Sequence, residues 1–301
     1  MINTITFNPS VDYMVDLSQL EIGEINRSSA EYILPGGKGI NVSIILNRLG
    51  VTNKALGFVA GFTGDYIEQA TFKEGVIADF IKLKEGFSRI NVKITDATSE
   101  TGVNGSGAAI SSEDLLHLNQ KIATLTADDI LVLAGAIPAS LPDATYRDMM
   151  EALQNSGTKI VVDATKDLLM NVLEYRPFLI KPNHIELAEL FDETIKTKDD
   201  AIEYARKLRD LGARNVLVSM ADEGAVLLTE DDEVFTHSGI AGKMVSSVGA
   251  GDSMVAGFIA GYVKEHSYEE AFKMGIAAGT ATAFSDGLAT KAEIDNIYRQ
   301  L

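Results

Sequence analysis

Short apolar runs alternate with amphipathic segments along most of the chain. Residues 3–7 read as a first strand, ended by Pro9. Ile40, Ile44, Ile45 and Leu49 fall near one face of a helix over 40–49, and Gly50 is its stop signal. Residues 54–60 make a second apolar strand, 65–73 a short helix and 76–83 a further strand. The rhythm resumes with strands at 130–134, 159–163, 178–181 and 215–219. Helices fall at 142–154, with Pro142 near the first turn, and at 199–211, stopped by Gly212. Two long helices, 251–264 and 268–284, follow. Buried apolar strands joined by helices predict a mostly parallel sheet covered on both faces.

Two stretches depart from this rhythm. Residues 11–33 hold strand-like pieces without a helical period, and in 89–109 Ile90, Val92 and Ile94 alternate with polar neighbours. Such alternation predicts half-buried antiparallel strands. They are expected to form a lid, about 11–34 and 87–109, on a single α/β domain spanning 1–301. The exposed apolar side of that lid would suit pairing with a second subunit as a homodimer.

Composition narrows the function. Hydrophobic residues make up 46% and charged residues 23%, which fits a soluble globular fold and not a disordered chain. The formal charge of −17 excludes a general attraction for nucleic acid or an anionic membrane. A phosphate-bearing ligand would therefore need a local basic pocket. Cysteine is absent, which removes disulfides, thiolate catalysis and sulfur-held zinc, and the four histidines are scattered. The start MINTITFNPSVDY lacks the pattern of a signal peptide, and the strongest apolar stretch, 254–263, is far short of the ~20 residues of a membrane span. A cytoplasmic location is expected.

Three loops carry candidate chemistry. Pro35-Gly36-Gly37-Lys38-Gly39-Ile40-Asn41 precedes a helix. Its glycines permit close approach to backbone N–H groups, the helix start favours an anion, and Lys38 adds a full charge. An ordinary loop-to-helix turn has the same form. The loop is not a Walker phosphate loop, because Gly39 and not Ser or Thr follows Lys38. It is not a dinucleotide fingerprint either, because Asn41 stands at the last glycine position. Val248-Gly249-Ala250-Gly251-Asp252-Ser253 opens another helix. Asp252 there could be a plain cap. Taken whole, amides of Ala250, Gly251 and Asp252 could surround a developing negative charge while the Asp252 carboxylate removes a proton. Those are the two needs of phosphoryl transfer to an alcohol. In Lys181-Pro182-Asn183-His184-Ile185-Glu186, Asn183 and Glu186 share one helical turn. The spacing suits oxygen ligands for Mg²⁺, and equally an N-cap with Glu at the third position.

In order along the chain, Asn8-Pro9-Ser10-Val11-Asp12, Gly36-Gly37-Lys38-Gly39-Ile40-Asn41, Ser88-Arg89-Ile90-Asn91, Lys181-Pro182-Asn183 with Glu186, and Gly249-Ala250-Gly251-Asp252 resemble the ribokinase-like, or PfkB, family of carbohydrate kinases. The resemblance covers essentially the whole chain and is nearest to the phosphosugar branch. It implies a ribokinase-like three-layer α/β sandwich with a small β-sheet lid, and ATP-dependent phosphorylation of a sugar phosphate. By the same resemblance Asp252 is the general base, and Gly249, Ala250 and Gly251 form the anion hole. Asp12, Gly37, Asn41 and Asn91 would hold the sugar, and Lys38 and Arg89 its phosphate. Lys181, Asn183, Ser219, Gly224, Gly249, Gly251 and Ala278 would contact the nucleotide, although small residues such as Ala278 also suit helix packing. Asn183 and Glu186 would hold Mg²⁺, partly through water, and a monovalent cation belongs to the family's repertoire. In the run Ser219-Met220-Ala221-Asp222-Glu223-Gly224, Ala221 replaces the usual glycine, so the local backbone is the point to check. The run Arg89-Ile90-Asn91-Val92-Lys93 favours fructose 1-phosphate as acceptor over tagatose 6-phosphate, with fructose 6-phosphate third. A sensor without catalysis remains the alternative class, and an Asp252 turned away from the acceptor would favour it.

Overall fold

The computed structural model describes residues 1–301. The chain opens with β1 (Ile2–Thr6), β2 (Ser10–Asp16), β3 (Ala30–Gly36), α1 (Lys38–Arg48), β4 (Asn53–Ala60) and α2 (Gly61–Lys73). There follow β5 (Ile77–Ala78), β6 (Ile81–Leu83), β7 (Arg89–Thr95), β8 (Glu100–Asn104), α3 (Ser112–Ile122), β9 (Ile130–Ala134) and α4 (Thr145–Leu153). Next come β10 (Lys159–Asp163), α5 (Lys166–Met170), β11 (Leu179–Ile180), α6 (His184–Phe191), α7 (Lys198–Asp210) and β12 (Asn215–Ser219). The chain ends with β13 (Ala225–Leu228), β14 (Val234–His237), α8 (Ala250–Glu265), α9 (Tyr268–Ala283) and α10 (Lys291–Tyr298).

The main sheet runs β14-β13-β12-β11-β10-β9-β1-β4-β5, with β6 also paired to β4. Pairing is parallel from β12 to β5 and antiparallel at β13 and β14. The central strands are buried on both faces, which is why they read as unbroken apolar runs. Ile5, Leu131, Leu133 and Val162 face a core with α4 and α7, whereas Val132, Val161 and Leu217 face α1, α8 and α9. The two cores make the sheet the middle of three layers, as expected. The chain leaves β1 toward β4 on one side and toward β9 on the other, so ligands are expected at the carboxyl ends near this switch.

Helix α8 is apolar nearly all round because the sheet, α1 and α9 enclose it. Its small residues let α9 approach: Ala278 is fully buried, and its Cβ would lie 2.9 Å from a Cβ on Gly257. The helix-packing reading of Ala278 is realised, since that side chain lies on the seam between α8 and α9.

The lid is a four-stranded sheet in the order β3-β2-β7-β8. Both stretches expected to form it do so. One expectation is corrected: β2 and β7 pair in parallel, because the whole of the β3–β6 excursion lies between them, while the outer pairs are antiparallel. Alternation alone does not reveal strand direction. The expected strand over 76–83 is two short ones, β5 and β6, which pair with different halves of β4. A third cluster ties the lid to the body, with Val11 of β2 packed among Ile40, Ile44, Val59 and Ile67.

Candidate active site

Four helices, α3, α6, α7 and α10, begin with a full capping box. Helices α1 and α8 do not. Each has glycine at its cap, Gly37 and Gly249, and no side-chain hydrogen bond there. Gly249 has φ +78, a conformation that favours glycine. The main-chain amides of Gly249, Gly251 and Asp252 have no acceptor within the protein, whereas Ala250 N–H reaches Ser247 O at 3.3 Å. An uncapped helix start with unpaired amides is a site for negative charge. The sequence reading placed Ala250, Gly251 and Asp252 around that charge; the free donors are Gly249, Gly251 and Asp252.

The side chains around this corner come from four distant segments. Asn41 Nδ2, from α1, donates to Asp252 Oδ2 at 2.8 Å. Asp163 ends β10 and is 1% exposed. Lys38 Nζ donates to its Oδ2 at 3.1 Å, and Lys181 Nζ stands 3.5 Å from its Oδ1. Lys181 is itself buried, and a Cβ on Gly251 would sit 3.1 Å from its Nζ. The Lys181 ammonium therefore lies over the first turn of α8. Lys181 does not simply reach solvent, the plainer reading of a lysine leaving a strand.

These charges set one another's protonation. Burial, with the Asp163 charge adding to it, pushes the Asp252 carboxyl up to about 6 against the opposing pull of Asn41, Lys38 and Lys181. Burial acts on Asp163 in the same sense, but Lys181 and Lys38 outweigh it and hold that carboxyl below the usual range. Burial disfavours the Lys38 cation, yet Asp163 and Asp252 keep it charged and raise it overall. One carboxylate is thus a fixed counter-ion and its neighbour is poised to exchange a proton near neutrality.

Asp12 and Asn91 lie side by side on β2 and β7, in register, and Asn91 Nδ2 donates to Asp12 Oδ1 at 2.9 Å. Ser10 Oγ donates to the same oxygen at 2.7 Å. Asp12, Asn41 and Gly249 share a cavity of about 590 Å³ beneath the lid with Leu34, Lys93 and Leu288. A smaller cavity of about 190 Å³ is lined by Gly37, Lys38, Arg89 and residues 134–138. Arg89 Nε is fixed by Asn8 O at 2.9 Å. Burial lowers the Arg89 basicity and Asp12 opposes that.

On the nucleotide side, Asn183 and Glu186 form a mutual capping box. Asn183 Oδ1 accepts from the Ile185 and Glu186 amides, and Glu186 Oε2 accepts from the Asn183 amide at 2.8 Å. The cap reading of this pair is realised, leaving Glu186 Oε1 for a ligand. Residue 183 is also bridged in parallel to Ser219, which joins the 181–186 and 219–224 loops. Ala221 adopts φ +51, the left-handed conformation for which a glycine is suited, and Gly224 follows at φ +93 against His237 O. The turn is kept despite the substitution. Met220 is buried in the core.

Asp163 is the functional residue that sequence reading missed. It passed as the last residue of a buried strand. Its signal was a carboxylate at the carboxyl end of a run, Ile160-Val161-Val162, that leaves no water to solvate it.

Residues 5–295 match the family model for pfkB family carbohydrate kinases. The chain is 46% identical over 301 residues to 1-phosphofructokinase of Bacillus subtilis strain 168, covering 100% of this chain and 98% of that one. It is 35% identical to D-tagatose-1-phosphate kinase of Bacillus licheniformis, covering 100% and 98%. Among solved structures, phosphofructokinase-2 of Escherichia coli in complex with substrates and products superposes with a TM-score of 0.94 at 26% identity, covering 100% and 99%. With the uncapped α8, the Asn41–Asp252 contact and the lid already in place, the chain belongs to the pfkB family of carbohydrate kinases.

Proposed function

We propose that this chain is a single kinase domain that transfers the γ-phosphoryl group of ATP to fructose 1-phosphate, giving fructose 1,6-bisphosphate. The observation that carries this is the meeting of a proton-accepting carboxylate, Asp252, with three free amides at the start of α8. The sugar lies under the lid on Asp12, Asn41 and Asn91, beside Gly37. Its phosphate takes the small cavity between Lys38 and Arg89. That pocket supplies the local positive charge that the net charge of −17 does not. The far hydroxyl then reaches Asp252, which accepts its proton as the oxygen attacks the γ-phosphorus. Amides of Gly249, Gly251 and Asp252, with the Lys181 ammonium, stabilise the charge of the transferring group.

ATP phosphates lie along Lys181, Asn183, Ser219 and Gly224. No cluster of three or more His, Asp or Glu side chains could hold a metal by itself. Glu186 has one free oxygen, and Asp163 Oδ1, which faces the Lys181 ammonium at 3.5 Å, has no closer partner. These donors fit a Mg²⁺ that keeps its waters and neutralises ATP charge when bound. A monovalent cation beside the turn before α8 belongs to the same reading.

The tagatose alternative has a specific support. A relative at 35% identity is named for D-tagatose 1-phosphate, whereas the sequence reading set tagatose 6-phosphate beside fructose 1-phosphate. Both relatives' names place the existing phosphate on carbon 1. A phosphorylation screen over fructose 1-phosphate, tagatose 1-phosphate, tagatose 6-phosphate and fructose 6-phosphate, with ATP and Mg²⁺, tests the reading. Highest kcat/KM for fructose 1-phosphate is expected; transfer to none of the four would overturn it.

No helix is long and apolar enough to cross a membrane. The lid's edge strand β3 exposes Tyr32, Ile33 and Leu34 at 41–45%. An apolar edge of this kind supports assembly of a homodimer through the lid.

A further inference from the structure

Arg48 closes α1 and forms part of the wall of the larger cavity. Its Nε and Nη2 grip both oxygens of Glu74, at the end of α2, at 2.9–3.1 Å. Its Nη1 donates to the main-chain oxygens of Leu288 at 2.5 Å and Ala289 at 3.1 Å. One planar guanidinium thus joins two helix ends to the connection between α9 and α10. That connection has no regular structure of its own. Residues 285–288 form no helix or strand, and Gly287 sits at φ +91 with open space around it. Apart from Arg48, its hydrogen bonds run back to the end of α9, from Ser285 N–H to Thr282 O, Ser285 Oγ to Ala281 O and Ala289 N–H to Thr282 Oγ1, while Ala289 is buried and Leu288 packs against the core.

Leu288 points this support at the reaction. Its Cδ2 lies 2.7 Å from the place a Cβ would take on Gly249, and Asn41 Nδ2 lies 3.7 Å from that same place. Leu288 therefore fills the corner between the free amide of Gly249 and the side chain that touches Asp252.

Building on the kinase reading above, we propose that Arg48 is a positioning residue for phosphoryl transfer. By holding the Leu288 and Ala289 carbonyls it keeps the Leu288 side chain against Gly249, and so fixes the turn whose amides meet the transferring group. The Arg48 guanidinium is committed to Glu74 and to the two carbonyls, and its proposed action on the reaction runs through Leu288. Without it the 285–289 connection loses its anchor and the turn before α8 loses its backing. Small displacements there cost rate, because the amides act only when aimed at the developing charge. Lysine cannot replace the fork, since a single ammonium cannot grip both Glu74 oxygens and reach two carbonyls in one plane.

Steady-state kinetics of Arg48→Ala, Arg48→Lys, Leu288→Ala and the double variant Arg48→Ala/Leu288→Ala test this, with folding followed by circular dichroism. The expected result for Arg48→Ala is a kcat at least tenfold lower, with KM for ATP and for the sugar phosphate each within threefold of wild type. Leu288→Ala is expected to lower kcat in the same way. The double variant should be no slower than the worse single one, because both act through one contact. If Arg48→Ala does not fold, Arg48→Lys takes its place, with kcat at least threefold lower and KM unchanged. A folded Arg48 variant whose kcat stays within twofold of wild type, a loss appearing in KM alone, or fully additive effects would overturn the proposal. A wild-type protein that phosphorylates no sugar phosphate would instead overturn the kinase reading beneath it.

Discussion

Asn41 donates a 2.8 Å hydrogen bond to Asp252 across a separation of 211 residues. The contact joins two helices that start from a glycine cap, α1 and α8, and it makes their glycine loops two walls of one site. The reading of the sequence required that convergence. A sensor without catalysis would leave the Asp252 carboxylate facing elsewhere, whereas here it is buried and hydrogen-bonded to Asn41, which lines the lid cavity.

Asp252→Asn removes the proton acceptor but keeps the shape and an acceptor oxygen for Asn41. Turnover is expected to fall about 10²–10⁴-fold while ATP binding persists. Steady-state kinetics with isothermal titration of ATP checks both. Unchanged turnover in the folded variant would remove Asp252 from the role of base.

The same substitution should stabilise the fold. The folded Asp252 carboxyl titrates near 6, above its ordinary value of 3.8, so the folded protein binds more protons than the unfolded chain between those values. Stability is therefore lost as pH rises through that window, and the loss is complete above it. Relative to wild type, Asp252→Asn is expected to raise Tm by several degrees at pH 8 and by less at pH 4.5. Equal Tm values at both pH values would contradict the burial of a charge.

The pH profile of kcat/KM should rise from pH 5 and level off above an inflection near 6, where Asp252 loses its proton. The Asn41 hydrogen bond favours the carboxylate, so Asn41→Ala moves the inflection up. The Asp163 charge disfavours it, so Asp163→Asn moves the inflection down. Opposite signs in the two variants are the distinguishing result. Asp163→Asn should also cost stability, by about 3 kcal/mol, since it removes the ion-pair partner of buried Lys181.

How much of this was legible follows from what kind of signal each feature leaves. The three loops were visible because each combines a helix start with a glycine or proline that punctuates the chain. The parallel sheet was visible because doubly buried strands read as apolar runs. Asp163 was not, because a charge at the end of such a run looks like a strand terminus until the structure supplies Lys38 and Lys181. The lid's alternation gave its strands but not the parallel β2–β7 pairing, which depends on what intervenes. The Asn183–Glu186 spacing fitted both a cap and a metal site, and the cap hydrogen bonds are the ones formed.

Ala221 gives a stability test at the nucleotide loop. A left-handed alanine costs about 1 kcal/mol relative to glycine. Ala221→Gly should raise Tm by about 2–4 °C and leave KM for ATP within twofold. A lower Tm would show that the turn is not strained.

The lid edge gives an assembly test. Ile33→Lys places a charge on the exposed β3 strand. Light scattering after size exclusion is expected to show a dimer for wild type and a monomer for the variant. A wild-type monomer would contradict pairing through the lid.

The most direct measurement is a crystal structure with fructose 1-phosphate and a non-hydrolysable ATP analogue. The expected result is an Asp252 carboxylate oxygen within about 3 Å of the carbon-6 hydroxyl, with the sugar's phosphate between Lys38 and Arg89. A sugar bound with that hydroxyl out of reach of Asp252, or with its phosphate elsewhere, would contradict it.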